Sequence, residues 1–236
     1  MSSVVRVFTK QNLDVGSVNL DCVHYLTHVM RRKANDNIIL VNGLGREYLG
    51  KISTINKKFV TISEIICIRT AKNCNQLGLL FPMIQKLDLM LKMATELGTT
   101  DFICYKAQYS QVKFNFGKIE KNVVEAIEQC ERLDFPNICQ KQKTIDEIFS
   151  GFEVKDTVVI LCEERSKSNV KLNIDDLKNK KIYIMVGPEG GFSSEEIEKI
   201  KSYSFVKTIS LNKNILRTET AVANALAVVN FVREGW

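Results

Sequence analysis

The chain has 236 residues, 45% apolar and 25% charged, the composition of an ordinary globular protein with one large domain or two smaller ones. No apolar run approaches the roughly 20 residues of a membrane-spanning helix. The opening residues, MSSVVRVFTKQNLD, lack the apolar core of a secretory signal, so no membrane partner and a cytoplasmic location are expected.

The net charge of +6 is unevenly placed. Residues 1–75 hold eleven Lys/Arg and five Asp/Glu, whereas residues 76–236 hold twenty-two of each, so the whole excess lies in the first third. A basic module joined to a neutral one suggests a polyanion gripped by one part and processed by the other; a merely solvated lysine-rich surface is the alternative. The seven cysteines are scattered singly with no Cys-x-x-Cys pair, which favours reduced thiols over a disulfide framework. His24 and His28 share a helix face beside Cys22, but nothing nearby completes a tetrahedral set and no metal is expected.

In chain order, residues 4–8 read as a strand. Asp21 then caps a helix over 22–32 with Val23, Leu26, Val29 and Met30 as its apolar stripe. Three strands follow at 37–41, 47–55 and 58–66, joined by the short turns at 42–45 and 56–57. Tightly joined short strands suggest a small antiparallel barrel. A polar linker is expected at 70–75. Beyond it strand and helix patterns alternate: strand 77–81, helix 86–96 with Gly98 as its C-cap, and strand 101–105. Helix 118–132, a short helix 145–149 and strand 157–162 complete that series, and such alternation argues for a mainly parallel sheet. The charged segment 163–173 reads as a mobile loop.

The most informative stretch is 181–224. An apolar strand, 182–186, stops at Gly187-Pro188-Glu189-Gly190-Gly191. Glycines there admit a closely approaching ligand, while Pro188 stiffens the loop. Ser193 and Glu196 fit a capping box for the next helix. A second apolar run, 205–211, leads into a polar loop containing Arg217, Thr218, Glu219 and Thr220, followed by an alanine-rich helix over 221–229. In open α/β sheets, ligands sit beyond the carboxyl ends of the strands, where such loops emerge. Neither the phosphate-binding P-loop nor the dinucleotide Gly-x-Gly-x-x-Gly pattern occurs.

The string Gly187-Pro-Glu-Gly-Gly191, followed by Leu211 and Ile215-Leu-Arg-Thr-Glu-Thr-Ala221, resembles the ribosomal small-subunit methyltransferase E family, the 16S rRNA uracil-N3 methyltransferases of the SPOUT superfamily. The likeness extends to His24-Tyr-Leu26, Val29-Met-Arg31, Asp36, Asn42-Gly43 and Glu47-Tyr48, which look like that family's PUA-like domain. It also takes in Lys86, residues 92–98, residues 128–130, Arg132 and Pro136. The resemblance implies an α/β fold: a PUA-like RNA-binding β-barrel over 1–70, then a mainly parallel SPOUT domain over 76–236 with a C-terminal trefoil knot. The implied cofactor is S-adenosylmethionine, and the implied partners are 16S rRNA within the small ribosomal subunit and a second copy of the chain, packed near helix 221–229.

Cofactor contacts are expected from Cys162, Gly187, Pro188, Gly190, Gly191, Leu211, Ile215, Leu216 and Thr218. His24, Arg31, Arg32, Lys33, Lys51, Lys92 and Lys113 are expected on RNA, where phosphate contacts position the substrate without specifying its sequence. Three departures stand out. Asn35 occupies a family glycine position, Tyr109 lies where many members carry arginine, and Asp134 replaces a second arginine after Arg132.

Ionising uridine N3 at neutral pH costs on the order of 3 kcal/mol. A guanidinium beside the base oxygens lowers that cost, and Arg217 or Arg132 supplies one. A carboxylate whose pKa is raised by partial burial is expected to take the proton, with Glu189 and Glu219 as candidates; bracing the loop and pairing with Arg217 are their respective alternatives. Other readings are a SPOUT enzyme acting on a ribose 2′-hydroxyl and a non-catalytic RNA-binding protein.

Overall fold

Alternating apolar residues turn one face of each N-terminal strand inward. Strands β1 (Val5–Phe8), β2 (Ser17–Leu20), β3 (Asn37–Val41), β4 (Arg46–Ile55) and β5 (Val60–Thr70) form one sheet in the order β1-β3-β4-β5-β2. This computed structural model describes residues 4–71, 76–164 and 174–234. β1 runs parallel to β3 and the other pairs are antiparallel. Register shifts along β4 and β5 bend the ladder, as bulges do, and the sheet curls into the PUA-like half-barrel. Leu26, Ile38, Leu40, Ile52 and Ile62 fill its inside.

Two local readings change. The expected helix 22–32 is mostly a π-helical turn, Tyr25–Val29, in which the Met30 N–H donates to Tyr25 O at 2.9 Å. The wide turn keeps Leu26 fully buried, and the chain leaves it through Arg31 at φ 54°. Strand β2 went unread because four residues, alternately exposed and buried, give too short a periodic signal. Asn35 adopts φ 72°, a left-handed geometry that asparagine tolerates better than most residues.

By contacts the chain forms two units, Met1–Asn73 with Ile127–Phe135, and Cys74–Ala126 with Pro136–Trp236. Segment 127–135 is sewn to the half-barrel by specific bonds. The Glu128 carboxylate accepts from Phe8 N–H at 2.7 Å, Phe135 N–H donates to Gly43 O at 2.9 Å, and the Phe8 and Phe135 rings lie 5.2 Å apart. The buried Glu47 carboxylate pairs with Arg6 and, at 2.8 Å, with Arg69, whose guanidinium also donates to Glu131 O.

The second unit is a six-stranded sheet, β11-β9-β10-β6-β7-β8, with every pairing parallel. Its strands are β6 (Leu77–Pro82), β7 (Asp101–Tyr105), β8 (Asn137–Ile138), β9 (Thr157–Cys162), β10 (Lys181–Met185) and β11 (Val206–Ile209). Its helices are α1 (Leu87–Glu96), α2 (Phe116–Cys130) as far as Ala126, α3 (Ile145–Phe149), α4 (Ile174–Leu177), α5 (Ser194–Lys201) and α6 (Thr218–Glu234). Near-continuous burial of β6, β9 and β10 is what strands covered on both faces require. Gly98 ends α1 at φ 84°, and the Ser193–Glu196 capping box opens α5. Tiny β8 and α4 were not foreseen. The expected mobile loop 163–173 lies mainly outside the described residues.

Candidate functional site

Parallel pairing brings the carboxyl ends of β9, β10 and β11 side by side, so the loops that follow them rise from one edge of the sheet. Between those loops lies a cavity of about 400 Å³. Gly187, Pro188, Gly190 and Gly191 line one side; Leu211, Leu216 and Thr218 line the other, and Cys162 adds the end of β9. Eight of the nine residues expected to hold a cofactor thus share one pocket. Ile215 does not line it and is 68% exposed.

The two loops are locked together. The buried Thr218 hydroxyl donates to Gly187 O at 2.9 Å, joining positions 31 residues apart. Gly191 takes φ 72° in the tight turn closed by its N–H to Pro188 O. A Cβ at Gly190 would sit 3.0 Å from Tyr109 Cβ, so the glycine loop is backed directly by residue 109. The loop carrying Tyr109 is itself fixed: Gln108 N–H donates to Glu196 of the α5 cap at 2.9 Å, and Ser110 Oγ to Met83 O at 2.6 Å. Beneath the pocket, the Tyr105 hydroxyl donates to Val186 O at 2.7 Å. Burial pushes the half-buried Cys162 thiol up to about 12, so it remains a neutral wall at neutral pH.

The polar candidates fall into distinct settings. Glu219, 6% exposed in the first turn of α6, has Lys86 Nζ 3.6 Å from Oε1 rather than Arg217. Arg217 is exposed immediately before α6. Glu189 accepts from Gln85 N–H at 2.9 Å, which ties the glycine loop to the end of β6. Arg132 belongs to the first unit, where Asp134 clasps its guanidinium at 2.6 Å. Asp134 therefore compensates the neighbouring Arg132 cation.

Among the expected RNA contacts, His24 is exposed just before the π-helical turn and Arg31 and Lys33 just after it, and the His24 ring stacks on His28 at 5.0 Å. Arg32 is half-buried, and Lys51 lies 3.6 Å from Glu64. In the second unit Lys92 pairs with Glu125 at 3.1 Å, and Lys113 is exposed. Sequence reasoning missed Glu163, Glu164, Phe192, Ser194, Ile197, Asn212 and Asn214, which also line the cavity. For all but Ile197, which lies inside α5, the signal was positional: each lies within three residues of a motif residue or follows a strand end. No group of three or more metal-ligating side chains occurs among the described residues.

The RNA methyltransferase domain family matches residues 72–230, and the RNA methyltransferase PUA domain family matches residues 21–65. The ribosomal RNA small subunit methyltransferase E of Rickettsia conorii is 36% identical over 214 residues, 89% of this chain and 86% of that protein. The Bacillus subtilis protein of the same name is 28% identical over 247 residues, covering 96% of this chain and 94% of its own length. The crystal structure of the Neisseria gonorrhoeae protein of that name, bound to S-adenosyl methionine, superposes with a TM-score of 0.84 over 98% of both chains at 24% identity, a likeness of fold. Motifs, fold and relatives agree: the chain belongs to the ribosomal RNA small subunit methyltransferase E family.

Proposed function

We propose that this protein transfers the methyl group of S-adenosylmethionine to N3 of a uridine in the 16S rRNA of the small ribosomal subunit. The observation that carries the reading is the cavity between two loops clasped by Thr218 and Gly187, in a chain of this family. The small-residue wall of Gly187, Gly190 and Gly191 leaves backbone N–H and C=O groups for an adenine ring and an amino-acid tail, while Leu211 and Leu216 supply apolar surface. Cys162, Pro188, Thr218 and Ile215 complete the assigned cofactor set, Ile215 being a loop residue that has to turn inward to join it.

The cofactor supplies an electrophilic methyl on a cationic sulfur. The chain's tasks are to hold the uracil in line with it and to manage one proton. Glu219, beside Lys86, is assigned to accept the N3 proton, and exposed Arg217 to stabilise charge on the base oxygens. Glu189 and Arg132, already engaged with Gln85 and Asp134, take the secondary places in those roles. His24, Arg31, Arg32, Lys33 and Lys51 of the half-barrel and Lys92 and Lys113 of the second unit are assigned to RNA.

The same reading includes the division into domains over 1–70 and 76–236, the trefoil knot, a cytoplasmic location, and a homodimer. Exposed Val228 and Phe231 on α6 support the last. No helix among the described residues is long and apolar enough to cross a membrane.

The test is incubation of the protein with unmodified small ribosomal subunits and S-adenosylmethionine, followed by nucleoside analysis. The expected product is 3-methyluridine; a ribose-methylated nucleoside, or no product, overturns the reading. Glu219→Gln and Arg217→Ala are each expected to lower turnover about a hundredfold. Near-native turnover in both removes their assigned roles.

A further inference from the structure

Among the described residues, the charged side chains lining the cavity are two adjacent carboxylates, Glu163 and Glu164, and no Lys or Arg lines it. They follow directly on Cys162 at the end of β9. Glu163 is held in place: its N–H donates to Ile209 O at 3.0 Å, its side chain is 13% exposed, and Lys201 Nζ of α5 lies 2.7 Å from Oε2. Glu164 is exposed and has no ion-pair partner among the described residues. Among the described residues the first carboxylate is thus partly compensated and the second is not, so the described lining of the cleft carries a net negative charge.

Resting on the cofactor reading above, we propose that Glu163 and Glu164 make the cavity discriminate between the sulfonium substrate and its spent thioether. S-Adenosylmethionine and S-adenosylhomocysteine differ by one methyl group and one positive charge. The glycine, leucine and proline walls discriminate between them by the methyl alone. A fixed negative charge favours the sulfonium, and in a partly hydrated cleft one uncompensated carboxylate shifts the ratio of affinities by about three- to tenfold. When the methyl leaves, the attraction disappears with the charge, and the neutral product dissociates more readily.

Titration calorimetry with the two compounds, on wild type and on Glu164→Gln, measures this directly. Glu164 is exposed, so the substitution leaves the core intact. Wild type is expected to prefer S-adenosylmethionine, Glu164→Gln to lose about three- to tenfold of that preference, and Glu164→Asp to retain it. Raising the salt concentration is expected to shrink the preference in wild type and to leave it nearly unchanged in Glu164→Gln. A preference unaltered by the substitution, or equal losses for both compounds, overturns the proposal while leaving the cofactor site in place. Failure of wild type to bind either compound overturns the cofactor reading itself.

Discussion

At the scale of single residues, the pocket depends on the Thr218 hydroxyl, which closes one loop on the other through Gly187 O. Replacing it with an isosteric valine leaves that carbonyl without its donor at a part-buried position. Thr218→Val is expected to cost about 1 kcal/mol of stability and to weaken S-adenosylmethionine binding roughly fivefold, read by urea unfolding and calorimetry. Unchanged values for both would remove the clasp from the account. Buried acids set the alkaline limit. Burial raises the Cys104 thiol from 9.0 to about 12 and the Tyr183 phenol from 10.0 to about 12, favouring their neutral forms in the folded chain. That stabilisation is complete below the unfolded thiol's pKa and is lost as the unfolded chain ionises first, from about pH 9 to about pH 12. The urea midpoint should fall across this window, less steeply in Cys104→Ala; a flat profile would contradict it. The motif residues were legible because each needs a property few residues share: Asn35 a left-handed backbone, Gly190 the absence of a Cβ against Tyr109. The partner of Glu219 was not. Lys86 is 133 positions away, and the alternative of a pairing with neighbouring Arg217 did not point to it.

At the scale of elements, strands 101–105 and 157–162 and helix 145–149 were readable to the residue, because apolar runs end at turn-forming residues or caps. Strand β8, with two residues, carries no periodic signal long enough to read, and the apolar stripe over 22–32 marked a helix there without distinguishing a short π-helical turn from an α-helix. Packing between β6 and β10 was equally hidden. A Cβ on Gly78 would lie 2.2 Å from the Tyr183 ring, which fills the space above that glycine. Gly78→Ala forces the ring out of its stack on Phe152, now at 4.4 Å, and is expected to destabilise the second unit by about 2 kcal/mol. Chemical denaturation checks this, and a loss below half that value would show the aromatic layer to be compliant.

At the scale of the whole molecule, the uneven charge was plain in the sequence, whereas the membership of segment 127–135 was not. That segment joins the first unit through Phe8, Gly43 and Arg69, all more than fifty residues away, and neither composition nor period marks such pairings. Where the charge sits makes a prediction. Arg31→Glu with Lys33→Glu is expected to weaken binding to 16S rRNA at least tenfold and to flatten its dependence on salt, read by filter binding across salt concentrations. Binding of S-adenosylmethionine should be untouched, since neither residue lines the cavity. Equal RNA affinity for the variant would place the RNA contacts elsewhere. The account's central claim is that the loops after β9, β10 and β11 hold the methyl donor. A crystal structure of the protein grown with S-adenosylmethionine tests it most directly. Density for the ligand between Gly187–Gly191 and Leu211–Thr218 is the predicted result, and density elsewhere, or a cavity left empty at saturating ligand, would contradict it.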